Sequence, residues 1–94
     1  MTPQMILDGL CERDLVGLLD DICRTRGVTR EEVCGRKRTK NVARARQELW
    51  SRLRRDPGMS YGEIARLFGR NHTTVMTGVR AFLREREGGA AIAA

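Results

Sequence analysis

Aromatic residues are scarce in this sequence, whose 94 residues include two Phe, one Trp and one Tyr. A chain of this length allows one small domain with one core, and 40% of its residues are apolar. In a compact helical bundle each of these few large side chains can pack against several helices in one core. No β-strand pattern and no internal repeat is present. The sequence therefore predicts an all-α fold.

Several sequence features that accompany catalysis or membrane insertion are also missing. No apolar run is long enough to cross a membrane, and the N-terminus lacks the pattern of a signal peptide. A GxxxxGK[ST] loop and a paired-carboxylate cleft are absent, which excludes nucleotide hydrolysis by that route. The single histidine, His72, has no Cys, Ser or acidic partner at a spacing that suggests a catalytic base. We therefore expect that the chain is neither an enzyme nor a membrane protein.

Cysteine is too sparse to suggest a disulfide framework or a metal site. Cys11, Cys23 and Cys34 are odd in number and widely spaced, and with one histidine they match no zinc pattern. Free thiols are typical of a reducing compartment. We expect no metal, no cofactor and a cytoplasmic location.

Positive charge is concentrated in one segment of the chain. Residues 1–35 carry four basic and seven acidic groups, whereas residues 36–55 carry nine basic groups and only Glu48 as an acidic one. Such an asymmetric distribution indicates a polyanionic partner. Nucleic acid is favoured over a membrane surface, because no basic amphipathic helix with bulky apolar residues is present.

The stretch from Ser60 to Phe82 reads as two short helices around a tight turn, the pattern of a helix-turn-helix. Gly69 suits the left-handed residue that ends the first helix, and Asn71 suits the cap of the second. The apolar positions Val75, Val79, Phe82 and Leu83 recur at helical spacing on the second helix. Its first turn carries the polar side chains of His72, Thr73 and Thr74, where a recognition helix meets base edges. The alternative is a helix pair with a purely structural role. The adjacent basic segment favours the DNA-binding interpretation over this alternative.

The rest of the chain divides into helices separated by glycine-containing turns. We expect a domain over residues 12–87, preceded by a loose arm over 1–11 and followed by a disordered tail over 88–94. Predicted helices run from Glu12 to Arg26, from Thr29 to Gly35, from a cap at Asn41 to about Arg55, from a Ser60–Glu63 capping box to Gly69, and from His72 to about Glu87. The loop Arg36–Lys40 has no apolar residue to bury. Such charge runs are commonly just solvated, but its position favours phosphate contact and minor-groove insertion.

Three segments together resemble the C-terminal DNA-binding domain of the bacterial replication initiator DnaA. They are VARARQ at residues 42–47, IARLFG at residues 64–69 and NHTTV at residues 71–75. The resemblance implies a helical fold of the Trp-repressor type that binds short asymmetric boxes in double-stranded DNA. It further implies that Arg38 enters the minor groove and that His72, Thr73 and Thr74 read the major groove. Four residues would either contact the DNA backbone or support the residues that do: Lys40, Arg44, Arg46 and Gln47. The predicted DNA-binding residues are Arg36, Lys37, Arg38, Lys40, Arg44, Arg46, Gln47, Arg70, Asn71, His72, Thr73 and Thr74.

Two departures from the family pattern bear on the sequence that is read. The turn is one glycine shorter than the usual form, and Asn71 stands where the family has Asp. Asn71 either reads a base, with adenine favoured, or only caps its helix.

The role of the whole protein stays open between several alternatives. The family's ATPase module is not in this sequence, so we expect either an excised domain or a free-standing relative that competes for initiator boxes. A partner ATPase or initiator protein is conceivable but not identified. A small transcriptional or mobile-element regulator, or a protein-interaction module with an acidic N-terminal helix, are the rival interpretations.

Overall fold

A computed structural model describes residues 2–86 in full and, beyond them, the helical course of the backbone to Ala93. The described chain contains six helices and no strand, which confirms the all-α prediction. They are α1 (Pro3–Glu12), α2 (Val16–Arg26), α3 (Arg30–Cys34), α4 (Lys40–Arg55), α5 (Tyr61–Phe68) and α6 (His72–Ala93). Among the described residues no helix combines the length and the apolar character that crossing a membrane requires.

Helix α4 lies at the centre of the molecule and contacts α2, α3, α5 and α6. Its apolar positions recur every three or four residues, so that one stripe of the helix meets all of these neighbours. Five residues of this stripe are buried, as the sequence predicts: Val42, Ala45, Leu49, Trp50 and Leu53. Because α6 packs directly on α4, the central helix determines where the second helix of the helix-turn-helix lies.

The prediction of a loose arm over residues 1–11 is wrong, because Pro3–Glu12 forms α1. The Thr2 hydroxyl accepts a hydrogen bond from the Met5 amide and caps the helix, and Pro3 occupies the first turn, where no amide donor is needed. Ile6 and Leu10 are buried in the common core. Two apolar residues four apart were too weak a signal in the sequence, but they suffice once other helices cover them.

The predicted first helix from Glu12 to Arg26 is really the end of α1 followed by α2. Asp14 has a φ of 57°, a left-handed conformation that breaks the helical path between the two. Asp adopts this conformation more readily than most residues do. The apolar positions Leu19 and Ile22 nevertheless face the core as predicted.

Helix ends elsewhere follow the predicted local chemistry. Gly27 and Gly69 end α2 and α5 in the left-handed conformation, with φ of 66° and 63°. A reciprocal capping box joins Ser60 and Glu63 at the start of α5, as predicted, and Thr29 forms another with Glu32 at the start of α3.

The start of α4 differs from the predicted cap at Asn41. Thr39 is the N-cap residue and the helix begins at Lys40. The Asn41 side chain instead donates a hydrogen bond to the carbonyl of Arg26, at 2.8 Å. Asn41 thus ties the end of α2 to the start of α4, a long-range contact that local sequence does not reveal.

The apolar edge predicted for α6 is correct for its first half only. Val75 and Val79 are buried and Phe82 is half-buried, whereas Leu83 is 41% exposed. The prediction of a buried Leu83 is therefore wrong: in this part of α6, Phe82 and Glu85 face α4, whereas Leu83 faces outward. The predicted helix end at about Glu87 and the predicted disordered tail over residues 88–94 are also wrong as far as Ala93, because the backbone of α6 stays helical to that residue.

Candidate nucleic-acid interface

The turn between α5 and α6 places the first turn of α6 at the surface. The left-handed Gly69 reverses the chain, and the amide of Arg70 donates to the carbonyl of Ala65 at 2.8 Å. Asn71 Oδ1 then accepts from the amide of Thr73 at 2.9 Å and caps α6. The three predicted base readers are all exposed: His72, Thr73 and Thr74. Short polar side chains on an exposed first turn suit entry into a major groove.

Helix α6 lies closely against α4 because a glycine stands at their crossing. A Cβ added at Gly78 would lie 2.9 Å from Cζ3 of Trp50, so a larger residue there requires the Trp50 ring or one of the two helices to shift. The Trp50 ring in turn packs edge-on against Phe68 of α5, with ring centroids 5.8 Å apart. Gly78, Trp50 and Phe68 therefore set the angle at which α6 presents its first turn.

Arg46 is buried, unlike the other basic residues that the sequence assigns to DNA, which leaves it the supporting role of the two that the resemblance implies. Its side chain is 6% exposed, and its guanidinium group hydrogen-bonds main-chain carbonyls of α3 and of the loop that follows. Burial, followed by the nearby charge of Arg70, lowers the pKa of Arg46 from its ordinary value. Arg46 thus supports the basic loop from within the protein.

Arg70 joins the basic loop to the helix-turn-helix. Its Nη2 group donates to the carbonyl of Gly35 at 3.1 Å, across 35 residues of sequence. Burial lowers the pKa of Arg70 below its ordinary value, and the positive charges of Arg36 and Arg38 lower it further. These arginines therefore form one electropositive region beside the first turn of α6, the kind of surface that a phosphate backbone neutralises.

A cleft of about 470 Å³ lies between α4, the basic loop and α6. It brings together six of the twelve side chains that the sequence assigns to DNA. Its lining includes Arg38, Arg46, Gln47, Arg70, Thr73 and Thr74. Residues that are far apart in the chain thus line one cleft, together with apolar groups such as Trp50 and Ala81.

Other predicted contact residues lie away from this cleft or have partners within the protein. Lys40 and Arg44 line a second groove, between α4 and the distal part of α6, and Arg44 forms an ion pair with Glu85. Lys37 forms an ion pair with Glu32 at 2.8 Å. Lys37 and Arg44 must therefore exchange a carboxylate for any phosphate they contact, which reduces their expected contribution.

The cleft also contains residues that the sequence prediction did not include. Thr77 is exposed, and Ala81 lies one helical turn further along α6 on the same side. Thr77 could have been found, since it follows Thr73 and Thr74 at helical spacing. Trp50 also lines the cleft, and its Nε1 group and the Oε1 atom of Gln47 are buried without a hydrogen-bond partner. No sequence signal distinguishes these two atoms from ordinary core groups.

The first turn of α6 is polar and exposed, it follows a glycine turn, and it lies beside the arginines of the basic loop. This arrangement is that of a helix-turn-helix DNA-binding domain. Residues 18–81 match the family model described as the bacterial dnaA protein helix-turn-helix. The chain belongs to this family, and the resemblance stated from the sequence is confirmed. It is a DNA-binding domain of the helix-turn-helix class.

Individual relatives support the same assignment. The chain is 38% identical over 71 residues to the chromosomal replication initiator protein DnaA of Neisseria meningitidis serogroup C, a match that covers 74% of this chain and 14% of that protein. It is 35% identical over 69 residues to the DnaA protein of Kosmotoga olearia, covering 73% of this chain and 15% of the relative. The chain thus spans a small part of the length of the curated relatives it matches. No solved structure matches it.

Proposed function

We propose that this domain binds double-stranded DNA at short DnaA-box-like sites by docking into two adjacent grooves. The first turn of α6 reads the major groove through His72, Thr73 and Thr74. The basic loop enters the neighbouring minor groove through Arg38, where an arginine senses the narrow width and negative potential of the groove. Phosphate contacts position the domain and base contacts specify the sequence.

The observation that carries this proposal is the cleft that Arg38 shares with Thr73 and Thr74. A minor-groove arginine and major-groove readers can act on the same duplex only if they lie on one side of the protein. Arg70 supports this arrangement, because it hydrogen-bonds the start of the basic loop while lying two residues before α6.

The biological role that we infer is replication initiation or its regulation. The relatives bear the name chromosomal replication initiator protein, which favours this role over a transcriptional regulator of a mobile element. We assign the domain no enzymatic activity and no cofactor, and we place it in the cytoplasm at the nucleoid.

Salt dependence of binding tests the proposal. The affinity for a duplex that carries a DnaA box and for a scrambled duplex of equal length is measured by fluorescence anisotropy at several salt concentrations. If about five or six phosphates are neutralised, the plot of log affinity against log salt should have a slope near −5. The box duplex should bind more tightly than the scrambled duplex at every salt concentration.

Two outcomes would contradict the proposal in different ways. A slope close to zero would exclude a phosphate-binding surface. A steep slope with equal affinity for both duplexes would leave DNA binding but exclude recognition of a DnaA box. Arg24→Ala should keep the slope and the preference of the wild-type protein, because Arg24 is an exposed arginine on α2 that pairs with Asp21 and does not line the cleft.

A further inference from the structure

Arg46 is a buried cation whose hydrogen bonds all go to the main chain. Nε donates to the carbonyl of Val33 at 2.9 Å, and Nη2 lies 3.0, 2.8 and 3.2 Å from the carbonyl oxygens of Glu32, Gly35 and Lys37. No carboxylate pairs with Arg46 among the described residues. A single side chain therefore binds two carbonyl groups at the end of α3, which helix geometry leaves unpaired, and two more in the segment beyond it.

These four carbonyls belong to the segment that carries the predicted minor-groove arginine. Lys37 immediately precedes Arg38, so the bond to its carbonyl fixes the backbone one residue before Arg38. Gly35 accepts from Arg46 and also from Arg70, whose side chain comes from the turn of the helix-turn-helix. The basic loop has no apolar side chain that could anchor it in the core. Its position relative to α6 thus depends on these two guanidinium groups.

We propose that Arg46 is a positioning residue for DNA recognition, which holds Arg38 at the distance from α6 that two adjacent grooves require. This inference rests on the proposed function and names the residue on which its two-groove geometry depends. Arg46 acts from inside the protein and does not itself contact phosphate. Its loss therefore reduces discrimination between DNA sequences more than it reduces general affinity for DNA.

The chemistry of the site requires arginine. The guanidinium group offers five N–H donors in a rigid planar fork, whereas the ammonium group of lysine is a compact charge on a flexible stem. Nε and Nη2 of Arg46 are fixed relative to each other and approach the carbonyls from two points, with the two N–H groups of Nη2 shared among three of them, an arrangement that one ammonium nitrogen does not reproduce. Burying a cation without a carboxylate partner also costs stability that an apolar residue would not cost. The buried charge of Arg46 is explained by its hydrogen bonds, which fix the backbone of the basic loop.

The test compares Arg46→Lys with Arg54→Lys. Arg54 is the matched control, because it also donates to a main-chain carbonyl, that of Met59 at 3.3 Å, but does not line the cleft. For Arg46→Lys we expect the ratio of affinities for the box and scrambled duplexes to fall about tenfold, the worth of one specific contact. The affinity for the scrambled duplex and the salt slope should stay unchanged. Arg54→Lys should preserve the ratio.

A double-mutant cycle separates positioning from a general loss of stability. Arg38→Ala is measured in the wild-type and in the Arg46→Lys background, with folding checked by circular dichroism at the temperature of the binding assay. If Arg46 acts through Arg38, the substitution at Arg38 costs much less specific affinity when Arg46 is already replaced. Full additivity of the two losses, or an unchanged ratio for Arg46→Lys, would overturn the inference.

A measurement on the wild-type protein covers the case in which Arg46→Lys does not fold. In the nitrogen-15 spectrum, the Nε–H signal of Arg46 should exchange slowly with solvent and keep its position when the box duplex is added, while that of Arg38 shifts. Rapid exchange, or a large shift of the Arg46 signal on DNA addition, would identify a phosphate contact and refute the positioning role. Failure of the wild-type domain to distinguish the two duplexes would instead count against the proposed function.

Discussion

At the scale of single residues, the polar side chains around the turn divide between holding the backbone and facing outward. Asn71 belongs to the first group, because its Oδ1 atom accepts from the amide of Thr73. His72 and Thr74 belong to the second group, since both are exposed beside the cleft or on its lining. Of the two roles that the sequence leaves open for Asn71, the observed hydrogen bond favours the cap.

The first prediction in this region concerns Asn71→Asp. Both residues cap helices well, and a carboxylate is additionally favoured at a helix N-terminus. We expect the variant to select the same consensus from random duplexes as the wild-type protein, with lower overall affinity because of the added negative charge. Asn71→Ala, which loses the cap, should lower the free energy of unfolding by about 1 kcal/mol in urea denaturation. A consensus that moves toward cytosine in Asn71→Asp would show that Asn71 reads a base.

At the scale of elements, the crossing of α4 and α6 determines how the recognition surface is presented. The Gly78 position allows the backbone of α6 to lie against the Trp50 ring, and Val75 and Val79 on either side of it are buried. The same crossing separates the cleft of Arg38 from the groove that contains Arg44. A change in the spacing of the two helices therefore moves the base readers relative to the basic loop.

Gly78→Ala tests this crossing, with Gly17→Ala as the matched control. Both replace a helical glycine, but a Cβ at Gly17 meets nothing within 4 Å, whereas one at Gly78 lies 2.9 Å from the Trp50 ring. We expect Gly17→Ala to raise the free energy of unfolding by up to about 1 kcal/mol, the gain in helix propensity. Gly78→Ala should lower it by about 1–3 kcal/mol through overpacking and should weaken binding to the box duplex. Urea denaturation measures the free energy of unfolding, and fluorescence anisotropy measures the affinity for the box duplex. A Gly78→Ala variant that is more stable than the wild type and binds the box duplex equally well would contradict the close contact.

At the scale of the whole molecule, ion pairs on the surface join α2 to α3 and to α4 in addition to the shared core. Asp20 accepts from Arg30 and connects α2 to α3, and Asp21 accepts from Arg52 and connects α2 to α4. The hydrogen bond from Arg30 lowers the pKa of Asp20, and those from Arg52 and Arg24 lower the pKa of Asp21. These acidic residues lie in the half of the chain that has an excess of acidic groups, so they also offset the positive charge of α4.

The pH dependence of stability follows from the lowered pKa values of Asp20 and Asp21. Their ordinary value is 3.8, and the folded values lie below it. Such groups stabilise the fold at pH values above 3.8, and this contribution is lost as the pH falls through the folded pKa. We expect the melting temperature to change little from about pH 7 to about pH 5 and to drop below about pH 4.

The control for this pH dependence is the double variant Asp20→Asn, Asp21→Asn. It should be less stable than the wild type at neutral pH, and the difference should diminish in acid. Because these side chains are partly exposed, high salt should also reduce the difference. Melting curves that stay parallel for the two proteins at every pH would contradict this role of the two carboxylates.

Local chemistry alone determined the fold class and the elements of the recognition surface. Capping boxes, glycine stops and the helical recurrence of Val75 and Val79 depend on residues a few positions apart, so they can be identified without a structure. The same holds for the exposed His72–Thr74 turn and for the basic loop, whose composition leaves nothing to bury. The resemblance to the DnaA family rests on these short segments.

Tertiary structure decided which of the charged residues face outward and which elements exist only through packing. Arg46 belongs to a basic helix in sequence, yet carbonyls from nine to fourteen residues earlier in the chain surround its guanidinium group. Helix α1 depends on neighbours that cover Ile6 and Leu10, and Arg44 is turned toward Glu85 in the distal part of α6. Each of these outcomes depends on contacts between residues distant in the chain, because burial and ion pairing are properties of the assembled core rather than of a local segment.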